Sequence, residues 1–429
     1  MLSFIYNILF YLLMLIYLPF LVYDVCIRKK YQHSLFYRLG LKIPVIDNQG
    51  RETIWIHAVS LGETKAVATI VEKIRESKPN CYIIFSSITE TGHEEAKKSM
   101  PFADKHIYLP IDAHFFMKKL MKSARPKLLL ISETDFWFQF QRQARKYGAN
   151  IVLVNGKLSE RSLARYQKFS FFSKALLRSI DLFCLQGDIY QKRFMQLGVP
   201  KEKIQITGNT KLDQKFSVMK ESEVTEWKKH LGIEEGQEVL VFGSTHEIEE
   251  DLALKICKKI WEIKPSLKVL LVPRHPERFP KVAQLIKDQD EPFTTFTEIT
   301  ENVSKERLIL IDGMGILQRC YQVATIAVVC GSFTEKVGGH NIFEPLHFAV
   351  PAIFGPHMFT QQGAKELVLS QEAGLQVNEE SLEGAIVKLL EDSTYYQNMS
   401  QNALALIEEA KGASDKTLSL MRPFLGLGE

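Results

Sequence analysis

Carboxylates placed just after apolar runs are the first feature of this 429-residue chain with chemical consequence. WIHAVSLGE, residues 55–63, closes such a run with a glycine turn and sets Glu63 near the start of an amphipathic stretch. A carboxylate there either caps the helix, favoured by its dipole, or stands as a general base at the mouth of a ligand cleft. SETDFW, residues 132–137, adds two acids. Asp135 is a candidate N-cap, whereas Glu133 comes straight off the run and is less natural as a cap. NGKLSERS (155–162) is a charged polar loop, either surface or site. TGNTKLD (207–213) carries Lys211, which belongs to a hinge or points into a cleft as a cation.

The second half repeats the pattern with basic and glycine-rich clusters: GSTHE at 243–247, PRHPERF at 273–279, DGMG at 312–315, and GSF at 331–333 leading to GGHNIFEP at 338–345. The planar fork of Arg274 suits a phosphate, whose oxygens it meets bidentately. Glycines ahead of a helix bare backbone N–H groups to an anion. Glu344, at a helix start, can accept two hydroxyl hydrogen bonds from a ribose. Walker A, G-x-G-x-x-G, H-E-x-x-H and G-x-S-x-G patterns are absent, as is a cysteine metal set.

These clusters need strands to hold them. Apolar runs at 54–59, 82–87, 128–131, 151–154 and 182–185 read as buried strands, with helical patterns between them, as at 64–77 and 137–147. A charged stretch at 215–229 reads as a linker plus helix. A second series then runs through 239–242, 269–272, 308–311, 326–330 and 352–354. Continuous apolar strands separated by helices imply parallel sheets covered on both faces. Two such doubly wound α/β units follow, with ligands expected at the carboxyl ends of the strands and in a cleft where the units face each other. The expected divisions are an anchor at 1–27, a first domain at 28–213 and a second at 214–429.

Apolar residues make up 46% and charged residues 24%, enough for two cores, and the net charge of +4 does not support nucleic-acid binding. Six cysteines without a C-x-x-C pair read as free buried thiols in a reducing compartment. Residues 1–23 carry no charge and are followed at once by Arg28, Lys29 and Lys30. About 20 apolar residues suffice to span a bilayer, and the basic flank places the body of the protein on the cytoplasmic side. A cleaved signal peptide would want a basic start and a small-residue cleavage site, and neither is present. An apolar segment lying in the membrane interface is the other reading.

Taken in order, WIHAVSLGE, SETDFW, NGKLSERS, TGNTKLD, GSTHEIEE, PRHPERF, DGMG and GGHNIFEP resemble the Kdo transferase family, whose members have the GT-B glycosyltransferase fold. The resemblance implies CMP-Kdo as donor, a lipid A precursor as acceptor, inversion at the anomeric carbon, and no metal or other cofactor. It implies Glu63 as the catalytic base and Glu133 and Lys211 as stabilisers of the transition state. It implies CMP contacts from Arg274 and His275, from Met314, Gly315 and Ile316, and from Asn341, Ile342, Phe343 and Glu344. The chain departs from the family pattern at Phe138, Gly313 and Ile316, where proline, threonine and an acidic residue are usual. A nucleotide-sugar epimerase on the same architecture is the rival enzyme, and a non-catalytic membrane scaffold the rival outside enzymes.

Overall fold

The computed structural model describes residues 2–26, 34–214, 216–299 and 304–427. It divides into two compact units, one formed by Met1–Gln214 with Lys411–Glu429 and the other by Lys215–Ala410.

The first unit is built on seven strands: β1 (Thr53–His57), β2 (Tyr82–Ser87), β3 (Lys105–Tyr108), β4 (Leu128–Ser132), β5 (Asn150–Gly156), β6 (Leu182–Leu185) and β7 (Ile204–Ile206). They lie in the order β3-β2-β1-β4-β5-β6-β7, all parallel. The second unit repeats the plan with β8 (Val239–Thr245), β9 (Lys268–Pro273), β10 (Phe293–Thr295), β11 (Leu308–Leu310), β12 (Ile326–Val329), β13 (Ala352–Phe354) and β14 (Gly374–Gln376). Their order is β10-β11-β9-β8-β12-β13-β14, again all parallel. In each sheet the strand order reverses once, between β1 and β4 and between β8 and β12. Crevices for ligands open at such reversals, outside the carboxyl ends of the strands.

Every strand expected from an apolar run is present. The central ones are buried along their whole length because helices cover both faces: β1, β2, β4 and β8 have no exposed residue. Trp55, Ile84, Leu129, Ile131, Leu153 and Phe183 pack one face of the first sheet, while Ile54, Ile56, Phe85, Leu130 and Val152 pack the other.

One expectation is corrected. Residues 411–429 belong to the first unit, not to the second as the 214–429 division held. The helix Ala413–Leu425 buries Met421 and Leu425 in the first unit's core. Asp213 receives its N-terminus, accepting from Gly412 N at 2.7 Å and Ser414 N at 2.5 Å. Lys78 Nζ closes the other end on Leu425 O at 2.6 Å.

The N-terminal segment is a separate case. Leu2–Cys26 is one helix, but among the described residues no helix is long and apolar enough to cross a membrane. Its first turns are instead committed to the first unit. Tyr6 Oη donates to Asp112 at 2.8 Å, and Gln139 Nε2 donates to Ser3 Oγ at 2.8 Å and Asn7 Oδ1 at 3.0 Å. The Tyr6 ring stacks on Phe172. The other faces carry exposed Phe4, Ile8, Leu9, Leu12, Leu13, Leu15 and Ile16. The helix therefore turns polar groups toward the protein and apolar ones away from it. Arg28, Lys29 and Lys30 lie outside the described residues.

Candidate functional site

In the first unit, the motifs after β1, β4, β5 and β7 converge beside the reversal point. Glu63 sits in the first turn of the helix Leu61–Ser77, whose N-cap is Ser60. Its Oε2 accepts from Val59 N at 2.8 Å and its Oε1 from Ser60 Oγ at 2.8 Å. The capping role and the strand-end position thus coexist, and the carboxylate remains partly exposed.

Glu133 leaves β4 in the left-handed region, at φ 55°. Such a backbone costs a non-glycine residue roughly 1–3 kcal/mol and persists only where surrounding contacts dictate it. Here they do: Lys157 Nζ meets one carboxylate oxygen at 2.8 Å and Lys211 Nζ the other at 3.0 Å. Burial alone raises the Glu133 carboxyl, but the two ammonium groups outweigh it and hold the group down at about 2. Asn155, also at positive φ, accepts from Thr210 N at 3.1 Å and so seats the loop that delivers Lys211. NGKLSERS is not surface at Asn155, which is buried, as are Thr210 and Lys211 of TGNTKLD. Lys157 has no role apparent from the NGKLSERS motif alone, and its place just past the end of β5 is the signal that marks it.

Asp135 is not an N-cap. The helix after β4 begins at Phe138, with Trp137 preceding it and no side-chain cap. Its carboxyl is hydrogen-bonded to that of Glu63, and its Oδ2 is buried without a partner. Burial first, then the bond to Glu63 and the charges of Glu63 and Glu133, push it up to about 10. His57 of the first motif is a core residue instead of a site residue. Its Nδ1 lies 2.9 Å from Ser86 Oγ, which also accepts from Trp55 Nε1, and burial lowers the imidazole to about 4.

In the second unit, three histidines gather beside the β8/β12 reversal. His246 follows β8 and its Nε2 lies 2.9 Å from Nε2 of His340, which follows β12. The His275 ring, after β9, stands edge-on to His246 with centroids 5.5 Å apart. Gly331, at φ 73°, is obligatory here, because a Cβ would lie 2.6 Å from the His340 ring. Burial, then the neighbouring cations, hold His246 at about 4 and His340 at about 3, so both are neutral near pH 7. In the sequence His246 and His340 are marked only by their positions after β8 and β12, which prove to be adjacent strands.

Arg274 is anchored by its backbone N, which donates to Thr245 O at 3.1 Å. Among the described residues its guanidinium has no carboxylate partner. Arg278 of the same motif is spoken for: it forks onto Glu250 at 3.0 and 2.5 Å. Glu249 accepts from Gly331 N at 2.7 Å and Phe333 N at 2.9 Å, fixing the loop after β12. Glu249 and Glu250 of GSTHEIEE therefore build the site without facing it.

The remaining assigned residues divide. Met314 is exposed and Gly315 is at φ 80°, both just past β11. Ile316 O accepts from Arg319 N at 2.9 Å and starts the short helix Leu317–Tyr321. Asn341 Oδ1 accepts from Phe343 N at 3.2 Å, and Glu344 is half-buried. Ile342 and Phe343 are buried in the core, so only their backbone is available to a ligand. Among the described residues no group of three or more His, Cys, Asp or Glu is arranged to hold a metal ion.

Two all-parallel, doubly wound units, each with its polar cluster at a strand-order reversal, make up the GT-B architecture. A crystal structure of UDP-N-acetylglucosamine 2-epimerase shares this fold with a TM-score of 0.62 over 88% of this chain and 97% of that one, at 13% identity, a likeness of fold alone. Residues 33–214 match the family model described as 3-deoxy-D-manno-octulosonic-acid transferase (kdotransferase). The 3-deoxy-D-manno-octulosonic acid transferase of Chlamydophila psittaci is 31% identical over 99% of this chain and 96% of its own length. That of Haemophilus influenzae is 34% identical over 87% of each. The chain belongs to the 3-deoxy-D-manno-octulosonic acid transferase family.

Proposed function

We propose that the protein transfers Kdo from CMP-Kdo to a hydroxyl of a lipid A precursor, inverting the anomeric carbon without a metal ion. The observation that carries the assignment of the base is the contrast between two carboxylates. Glu133 is locked between Lys157 and Lys211 and is a poor base at about 2. Glu63 is partly exposed beyond the end of β1 and accepts from the neutral donors Val59 N and Ser60 Oγ. A sugar hydroxyl is a weak nucleophile until a carboxylate takes its proton. Glu63 removes that proton as the new carbon–oxygen bond forms, and CMP departs with the electrons of the bond that breaks. Positive charge grows on the sugar ring and negative charge on the leaving phosphate. The Arg274 guanidinium strengthens its hold at that moment, when stabilisation counts most. The Glu133–lysine cluster sets the field around Glu63.

Mass spectrometry of the lipid product after incubation with CMP-Kdo and lipid A precursor tests the reading, with Arg274→Ala beside the parent. The parent is expected to add Kdo to the lipid. Losing charge-assisted bonds of about 1.5–3 kcal/mol weakens CMP binding in the variant about 10–100-fold. An epimerised donor without a lipid product would overturn the proposal, and unchanged CMP affinity in the variant would remove Arg274 from the phosphate.

We place the protein on the cytoplasmic face of the inner membrane, with the helix Leu2–Cys26 lying in the interface. Support comes from its outward apolar residues and its polar contacts to the first unit. Leu12→Glu with Leu15→Glu, both on exposed positions, is expected to abolish co-sedimentation with phosphatidylethanolamine–phosphatidylglycerol vesicles while leaving CMP affinity unchanged. Undiminished co-sedimentation would show that another surface meets the lipid.

A further inference from the structure

Two carboxyl groups in hydrogen-bond contact cannot both be ionised, since one proton must lie between them. Glu63 and Asp135 form such a pair. The surroundings say which member carries the proton. Both oxygens of Glu63 already act as acceptors, one from Val59 N and one from Ser60 Oγ, so the donor in the contact between the two carboxyls is Asp135. Asp135 has the opposite environment, with its Oδ2 buried and unpartnered. The charged and titratable groups that face it are Glu63 from the helix Leu61–Ser77, Glu133 from the end of β4, Lys157 from beyond β5 and Tyr166 from the helix Glu160–Lys168. Only Lys157 favours an ionised Asp135, and its ammonium is already engaged by Glu133 at 2.8 Å.

We propose that Asp135 is a positioning residue that stays protonated and donates a hydrogen bond to the Glu63 carboxylate, aiming the base at the acceptor hydroxyl. The inference rests on the reading of Glu63 as the base. During transfer the acceptor O–H bond breaks, its proton passes to Glu63, and the pair goes from one proton to two. The extra proton then leaves to water, which restores the starting state. Asp135 does not exchange its proton with the substrate. Its neutral carboxyl offers a donor to Glu63 without competing for the incoming proton.

The strong upward displacement of Asp135, to about 10, gives the arrangement a signature. Raising the pH ionises the pair a second time, removes the donated bond and sets a second negative charge beside Glu63, so turnover falls at the alkaline end. An amide donates as the protonated carboxyl does but cannot ionise.

Asp135→Asn is therefore expected to keep turnover within about threefold of the parent near pH 7.5 and to lose the alkaline fall. Asp135→Ala is expected to lose roughly 10–100-fold in kcat with little change in CMP affinity, part of the 10²–10⁴ that a positioned base contributes. The measurements are kcat against pH, CMP affinity by titration and melting temperature, with Glu63→Gln alongside. Parental turnover and pH profile in Asp135→Ala would overturn the inference. So would an Asp135→Asn variant as slow as Asp135→Ala, or one that keeps the alkaline fall. If Asp135→Ala does not fold, the pH profile of Asp135→Asn still decides. An inactive Glu63→Gln with both Asp135 variants normal sinks this inference alone, whereas an active Glu63→Gln sinks the base assignment beneath it.

Discussion

Glu63→Gln is expected to lower turnover roughly 10²–10⁴-fold, the span that a positioned general base contributes. Glutamine keeps the size of the side chain and can still accept from Val59 N, which Glu63 does at 2.8 Å. It cannot take a proton from the acceptor hydroxyl. CMP affinity is expected to stay near the parent value, because the Arg274 and histidine cluster lies in the second unit. Because Glu63 also places its charge in the first turn of the helix Leu61–Ser77, where the dipole favours it, the substitution carries a stability component of at most about 1 kcal/mol. Turnover, CMP titration and melting temperature on one sample separate the two roles. A slow, stable, CMP-binding variant supports the base. A variant that melts early but turns over within a few-fold of the parent leaves Glu63 with capping alone.

The positions of Glu63 and Glu133 were legible because each follows a buried strand, and buried parallel strands announce themselves as unbroken apolar runs, whereas Lys211 follows the edge strand β7 and is marked only by its polar motif. The four strands that escaped notice are β3, β7, β10 and β14, the four sheet edges. An edge strand is covered less completely, so its sequence need not be apolar throughout. Lys105–Tyr108 has one buried residue of four, and Phe293–Thr295 has none. The helix Ala413–Leu425 has an ordinary amphipathic pattern, and nothing in such a pattern names the sheet it covers. The decision rests on Asp213, some 200 residues earlier in the chain, which receives the helix N-terminus.

The chemistry divides along the same line. A strand-end acid is visible in a sequence, but its ionisation is set by neighbours that arrive from other strands. Glu133 and Asp135 are two residues apart, yet one is held at about 2 and the other pushed up to about 10. Lys157 and Lys211 make the first difference, and Glu63 with burial makes the second. Likewise His246 and His340 stand 94 positions apart and meet only because β8 and β12 are neighbours. Ile342 and Phe343 sit within a polar, glycine-rich motif, and their burial reflects the need to anchor that loop to the core.

Glu133→Ala is expected to cost the first unit about 3–5 kcal/mol, since it strips the shared partner from two lysines with little access to water. Lys157 and Lys211 expose only 19% and 9% of their side chains. At roughly 2–4 °C per kcal/mol for a unit of this size, the melting point falls by about 10 °C. Glu133→Gln retains the volume and some hydrogen bonding but not the charge, and is expected to fall between the parent and the alanine variant. The sign of the pH dependence follows from the depressed carboxyl. Its folded value of about 2 lies below the ordinary 4.5, so its stabilisation is complete above pH 4.5 and is lost as the pH falls toward 2. The gap in stability between the parent and Glu133→Gln is therefore expected to be constant near neutrality and to close in acid. Urea unfolding at pH 7, 4 and 3 measures it. A gap that does not narrow between pH 7 and pH 3, or an alanine variant as stable as the parent at pH 7, would show that the two lysines do not depend on Glu133.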